Sequence, residues 1–332
     1  MGSDVRVGID VAPLVLDNAG TARYVRAIAG ALEARGDVEL ERLTWGGPGR
    51  ITAAVRDVAW YPLALPYVRA RRLDVLHCTT FRAPLRAPLP VVVTVHDLAA
   101  VRHPELFTAW TRLYARTLLL PVLRAASAVV TVSAFTKREV IELAGVQDER
   151  IHVAPNAAGE PFGLNGPAVE GDYVLAVGTL EPRKNLQRLA EATRRLGLEL
   201  RVAGAVGWGS VELDAPHVRW LGRPDDEELA SLYRGALCLA YPSLYEGFGI
   251  PVLEAMRCGC PVVTSAGSAM EEVAGSAAEL VDPDDEESIA AGIERALARR
   301  DELRAAGLER AARFSWTASA DAVVGAYRAA LS

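Results

Sequence analysis

Short, unbroken apolar runs alternate with longer stretches of helical periodicity along this chain. The runs over 5–11, 74–78, 91–95, 128–132 and 151–154 are rich in Val, Ile and Leu, and those at 91–95 and 128–132 are apolar almost without interruption. That pattern predicts strands buried on both faces of a parallel sheet. Helical segments over 21–34 and 110–126 separate them. A Pro-, Gly- and Asn-rich stretch from Pro155 to Pro167 then interrupts the rhythm and reads as a linker. Beyond it the rhythm resumes, with strands over 173–177, 198–203, 218–221, 236–241 and 262–264. Helices are expected at 186–196, twice within 288–314, and at 316–331. The expectation is two α/β units of Rossmann-like build, over 1–165 and 166–314, and a terminal helical segment over 315–332.

Composition agrees with this picture and removes some functions. A chain of 332 residues with 51% hydrophobic content has material for two cores. The net charge of −6 gives no overall basic field, so nucleic acid is not expected as a partner. Cys78, Cys238, Cys258 and Cys260 lack zinc or redox spacing and read as reduced, mostly buried thiols. No apolar run is long enough to span a bilayer, and the first residues lack a signal-peptide pattern. A cytoplasmic protein is the expectation. The 110–126 segment carries Arg112, Arg116 and Arg124 beside Trp110 and Tyr114. It is read either as a core helix with a solvated arginine face or as a peripheral contact with the inner face of a membrane.

Candidate chemistry concentrates in two loops of the second half. The stretch 241–265 reads as strand, Gly-bearing loop, short helix, strand, with Pro251 opening the helix and Gly259 capping it. Backbone N–H groups at the helix start, near Ile250 and Val252, favour an anion such as phosphate. Glu246 and Glu254 flank that start and would repel a phosphate. Ionised carboxylates are pure acceptors, which suits them to sugar or ribose hydroxyls. The other loop, Gly178 to Asn185, puts Arg183 and Lys184 between a strand end and a helix start, a strong anion site. In the first half, His96-Asp97 follows a strand at the end where open α/β sheets bind ligands. Taken alone, His96 reads as a satisfied core residue. The segment around Gly20 lacks the G-x-G-x-x-G dinucleotide pattern. Asp282-Pro283-Asp284 has the form of a metal-binding D-x-D, but its acidic turn before a polar helix argues against that role.

The run PSLYEGFGIPVLEAMRCGCPVV, with Glu246 and Glu254 at E-x7-E spacing, resembles retaining glycosyltransferases of family 4, specifically the mannosyltransferase-B-like branch. The likeness extends over nearly the whole chain. It implies the GT-B fold, with two Rossmann-like domains facing across a cleft and the terminal helix crossing back to the first. It implies transfer of a hexosyl group, mannosyl or glucosyl, from a nucleotide-diphosphate sugar of the GDP-mannose or UDP-glucose type. The acceptor would be a glycan, a lipid-linked species or a small molecule. No cofactor or metal is implied. Residue by residue, Arg183 and Lys184 would neutralise the leaving diphosphate and Glu246 would face the transferred sugar. Glu254 would hold the ribose, and His96 would lie beside the donor sugar. Donor contacts would also come from Gly20, Gly178, Leu221, Arg223, Gly247, Phe248, Gly249 and Ile250. The family's Gly-Gly pair is reduced here to Gly20 alone, which puts close approach to the diphosphate there in doubt. Two rivals remain: a GT-B sugar-nucleotide epimerase or hydrolase, and a non-catalytic sugar-nucleotide binder. All these roles require the Arg183 guanidinium to lie at the mouth of the Glu246 loop.

Overall fold

The computed structural model describes residues 5–16, 19–47, 49–107, 109–207 and 214–332. It contains two parallel sheets of six strands each. The first is built from β1 (Val5–Asp10), β2 (Val38–Leu43), β3 (Val75–Cys78), β4 (Val91–Val95), β5 (Ala128–Thr131) and β6 (Ile151–Val153), in the order β2-β1-β3-β4-β5-β6. The second is built from β7 (Tyr173–Val177), β8 (Glu199–Ala203), β9 (Val218–Trp220), β10 (Cys238–Tyr241), β11 (Val262–Ser265) and β12 (Glu279–Val281), in the order β12-β11-β10-β7-β8-β9. The strand order reverses between β1 and β3 in the first sheet and between β7 and β10 in the second. Such reversals open a crevice at the carboxyl ends of the strands, where ligands of open α/β sheets bind.

The central strands β3, β4, β5 and β10 are buried along their whole length, as their unbroken apolar runs require. Strand β2, Val-Glu-Leu-Glu-Arg-Leu, is a sheet edge with an exposed middle, and its mixed charge hid it from the hydrophobic pattern. Ser133 caps the Ala134–Ala144 helix as expected, its hydroxyl accepting from Thr136 N at 3.0 Å. The apolar 110–126 segment forms Ala109–Ala125, interrupted by a wide π-type turn at Ala115–Leu119.

The chain divides between Asn156 and Ala157, with Ser315–Ser332 returning to the first unit. The boundary expected at 165/166 lies nine residues beyond this division. Residues 157–165 belong to the second unit because Arg257 grips them: its guanidinium donates to Phe162 O at 2.9 Å and Ala158 O at 2.8 Å. The Phe162 ring meets Tyr233 edge-on. In the first unit, the Trp316–Leu331 helix is keyed to the sheet by its Tyr327, which bonds to His77 of β3 at 2.7 Å.

Candidate active site

The second unit gathers four charged side chains at its strand-order reversal. The loop after β7 carries Glu181, Arg183 and Lys184; the loop after β10 carries Glu246. Lys184 Nζ donates to Glu246 Oε1 at 2.5 Å and to the Tyr241 hydroxyl at 2.7 Å. That hydroxyl donates onward to Glu246 Oε1 at 2.9 Å. Arg183 donates to Glu246 Oε2 at 2.6 Å, to Tyr245 O at 2.8 Å and to Glu181 Oε1 at 2.7 Å. The guanidinium thus lies at the mouth of the Glu246 loop, as the sequence reading requires.

Glycine makes this close assembly feasible at two points. Gly178 has φ +144, and a Cβ there would sit 2.9 Å from Lys184 Cε. Gly249 has φ +95, and a Cβ would meet Met270 Cγ at 2.9 Å. The loop is also braced by Asn185, held in a left-handed conformation. Its amide donates to Pro242 O at 3.0 Å and Pro283 O at 2.6 Å, tying the Arg183-Lys184 turn to the loops after β10 and β12.

Burial opposes ionisation of Glu246, but the charges of Arg183 and Lys184 outweigh it and hold its carboxyl down to about 2. Burial pulls Lys184 below its ordinary value, and the Glu246 charge resists that pull. Burial, with the carboxylate beside it, raises Tyr241 well above the phenol range. Glu246 is therefore ionised at neutral pH, paired with Arg183 and Lys184 and bonded to a neutral phenol.

The helix start differs in detail from its expected form. The helix spans Ile250–Arg257, so Pro251 is its second residue. Val252 N–H is already donated to Gly249 O at 3.0 Å and is not available to an anion. Glu254 lies beyond the first turn, buried, and accepts from the Tyr233 hydroxyl at 3.1 Å. Phe248 turns its ring into the core, edge-on to Phe314, so only its backbone remains for a ligand. Leu221 and Arg223 follow β9 at the far edge of the sheet from β10. Asp282 accepts from Asp284 N at 2.9 Å, closing a turn, and no metal-binding cluster occurs among the described residues.

The first unit holds the other predicted residues. His96 follows β4, and its Nε2 donates to Thr79 O at 2.9 Å. In the neutral ring this leaves Nδ1 as an acceptor. Burial lowers the His96 pKa, which keeps the ring neutral. The ring of Tyr24 meets it edge-on at 4.7 Å. Asp97 accepts from Ala99 N at 3.0 Å and so orients the loop. Gly20 is the second residue of the Ala19–Glu33 helix, and a Cβ there would meet open space.

Sequence reasoning missed several members of these assemblies. Glu181 and Tyr241 complete the charged cluster; both stood within the quoted motifs, and Tyr241 ends its strand at the ligand-binding edge. His77 is buried with both ring nitrogens bonded, to Tyr327 at 2.7 Å and Thr94 at 2.8 Å. Nothing in the run Val-Leu-His-Cys marked it out.

Comparison with known proteins accords with this geometry. Residues 162–314 match the family described as glycosyl transferases group 1, and residues 19–158 match Glycosyltransferase Family 4. The O-antigen chain mannosyltransferase B of Escherichia coli is 34% identical over 71% of this chain and 70% of its own length. The serotype-specific mannosyltransferase WbdA of Escherichia coli is 27% identical over 82% of this chain, which spans 38% of that longer protein. A solved structure of Anabaena Alr3699/HepE in complex with UDP and glucose superposes with a TM-score of 0.73 at 17% identity, covering 97% of this chain and 98% of that one.

Proposed function

This chain belongs to glycosyltransferase family 4, with the GT-B fold, and from that membership we propose that it transfers mannose from a GDP-mannose-type donor. It is a glycosyltransferase; the epimerase, hydrolase and binder readings fall away because its relatives are transferases. The proposed acceptor is a hydroxyl of a growing glycan, on a lipid carrier or free, and the proposed place of work is the cytoplasm. A UDP-glucose-type donor is the second reading, favoured by the UDP and glucose held by the structural neighbour.

One observation carries the catalytic part: Arg183, Lys184 and Glu246 meet at the reversal between β7 and β10. A diphosphate entering there would draw Arg183 and Lys184 onto its oxygens and free Glu246 for sugar hydroxyls. The two cations would then stabilise charge developing on the leaving phosphate, which takes up the acceptor proton as the sugar transfers with retention. Groups of this kind contribute on the order of 2.7–4 kcal/mol each to lowering a barrier. Glu254 would take the ribose, Phe248, Gly249 and Ile250 would offer backbone donors, and His96 would accept from the donor sugar. No metal is needed in this scheme.

A thermal-shift panel of UDP, GDP, ADP and their sugars tests the donor. Saturation at about 100 times Kd should add roughly 2.7 kcal/mol of stability. A shift with GDP-mannose and none with UDP-glucose supports the first reading, and the reverse replaces it with the second. An anomeric analysis of the product then tests retention; an inverted linkage would overturn it.

A further inference from the structure

The strand ends of the first unit carry an aromatic pair that neither donor binding nor the transfer step uses. Trp45 stands two residues beyond Leu43, the register partner of Asp10 at the carboxyl end of β1. Its ring stacks on Trp60, with centroids 6.3 Å apart and planes 20° from parallel. Trp60 is buried and belongs to the helical run Arg50–Val55, Arg56–Ala64 and Leu65–Tyr67, whose outer side leaves Ile51 and Leu63 exposed. Trp45 is of another kind: it is 42% exposed, yet its loop is held from within. Arg56, itself buried, donates through Nε to Trp45 O at 3.1 Å and through Nη2 to Gly47 O at 2.9 Å. Gly46 turns the loop with φ +75, and a Cβ there would collide with the Thr52 side chain. An aromatic face is thus presented to solvent on a braced loop, which lowers the cost of binding a ligand against it.

The pair is joined to the rest of the sheet edge. Tyr61, the neighbour of Trp60, donates to Asp10 Oδ2 at 3.2 Å. Thr79, just past β3, donates to Asp10 O at 2.8 Å, and its own carbonyl accepts from His96, just past β4, at 2.9 Å. A row of residues in contact therefore runs along the strand ends from Trp45 to His96. The order β2-β1-β3-β4 puts three strand spacings between its ends, about 14 Å. One sugar ring does not bridge that span. A pyranose has an apolar C–H face that packs on an aromatic ring and hydroxyls that bond around it. Trp60 Nε1 is a buried donor with no acceptor among the described residues, an unmet bond that a hydroxyl of such a sugar would satisfy. A single exposed indole is too small a surface for a protein partner and the right size for one sugar ring.

Resting on the glycan-acceptor reading above, we propose that Trp45 is the platform for an internal sugar of an oligosaccharide acceptor whose reacting end lies by His96. The acceptor is then a chain already several sugars long. The test is calorimetric titration of the whole protein with mannose, mannobiose and mannotetraose, and with the matching glucose series. In at least one series the tetrasaccharide should bind about tenfold tighter than the monosaccharide or better. Trp45→Ala should abolish that gain, and Trp45→Phe, which keeps an aromatic face, should retain most of it. Trp60→Phe keeps the stack and removes the N–H, and should weaken tetrasaccharide binding about threefold. Trp110→Ala, the loss of another exposed indole of the same unit, should change nothing. No gain with length in either series, a gain that survives Trp45→Ala, or an affinity unchanged in Trp60→Phe would overturn the proposal. The indole N–H resonance of Trp45, assigned with Trp45→Phe, gives a reading on the wild-type fold: it should shift with the tetrasaccharide, and a still resonance would overturn the proposal as well. These titrations need neither donor nor turnover, so the nucleotide thermal-shift panel tells their failure apart from that of the transfer reading.

Discussion

The two units repeat one frame and fill it with opposite chemistry. Each has a six-stranded parallel sheet with a single reversal of strand order. In the second unit that reversal holds ion pairs: Arg183 meets Glu181 and Glu246, and Lys184 meets Glu246, in a buried cluster. In the first unit it holds a carboxyl that burial makes easier to protonate and an imidazole that burial keeps neutral. Burial pushes Asp10, at the end of β1, up to about 6, against its bonds from Ala12 N at 3.1 Å and the Tyr61 hydroxyl at 3.2 Å. Burial pulls His77 down to about 3, and its bonds run on through Thr94 to the Tyr24 hydroxyl at 3.3 Å. Topology therefore decides where a site can form, and side chains decide what it does. The charged site suits an anionic donor; the neutral one suits hydroxyls and proton sharing.

Lys184→Ala tests the charged half most severely. It should lower the transfer rate by roughly a hundred- to a thousandfold, as expected when one stabilising charge is lost at a developing anion. Circular dichroism should show the fold retained. Near-wild-type turnover would place the departing charge elsewhere and dissolve the contrast between the units.

Tyr327→Phe tests the neutral half. It strips His77 Nδ1 of its partner in a fully buried setting, which costs about 1–3 kcal/mol of stability. Chemical denaturation would measure it. Nucleotide affinity, which the reading assigns to the second unit, should not move; a large change in affinity would show that the two chemistries are coupled.

Glu246→Gln sharpens the comparison from the other side. In the ligand-free cluster the carboxylate is an internal competitor for the cations a diphosphate would use. Removing its charge should tighten nucleoside diphosphate binding by about tenfold while transfer falls, because buried Lys184, deprived of its carboxylate, gains most from a new anion. Isothermal titration calorimetry decides it. Weaker binding would mean that Glu246 grips the nucleotide itself.

The charged half was far more legible in the sequence than the neutral half, for a physical reason. Arg183 and Lys184 are neighbours in one loop, and Glu246 and Glu254 share one loop-helix unit. Local spacing was enough to bring each pair together, and strand order did the rest. The neutral chain draws Tyr24, His77, Thr94 and Tyr327 from two helices and two strands, and no spacing links them. The strands of both sheets were visible as apolar runs except β2, which carries charge, and the three-residue β12, each at one edge of its sheet. The outward apolar side of residues 50–67 was hidden by the opposite failure. Periodicity marks a side of a helix as apolar but does not say whether protein covers it, and here none does at Ile51 or Leu63.

The smallest expected signal is a partial cancellation. Asp10 has its folded pKa raised from 3.8 to about 6, so between those values the native state holds a proton the unfolded chain has released. Stability from this group rises as pH falls through that window. His77 has its folded pKa lowered from 6.5 to about 3, so there the unfolded chain holds the extra proton and stability falls with pH. Between about pH 4.5 and 6 these two proton counts oppose each other, His96 and His152, also lowered by burial, add to the His77 side, and Glu246, held at about 2 against an ordinary 4.5, joins them only at the acid end. Wild-type thermal stability should therefore fall toward acid across this range, but less steeply than the histidines alone would make it. Asp10→Asn should steepen the fall toward acid, because the lowered histidines are left unopposed, and His77→Gln should make it shallower. Melting curves at several pH values across the window would read both slopes. An unchanged slope in Asp10→Asn would mean that Asp10 is already ionised in the folded protein, shielded by Arg56 and Arg82, and that the first unit carries a fixed charge after all.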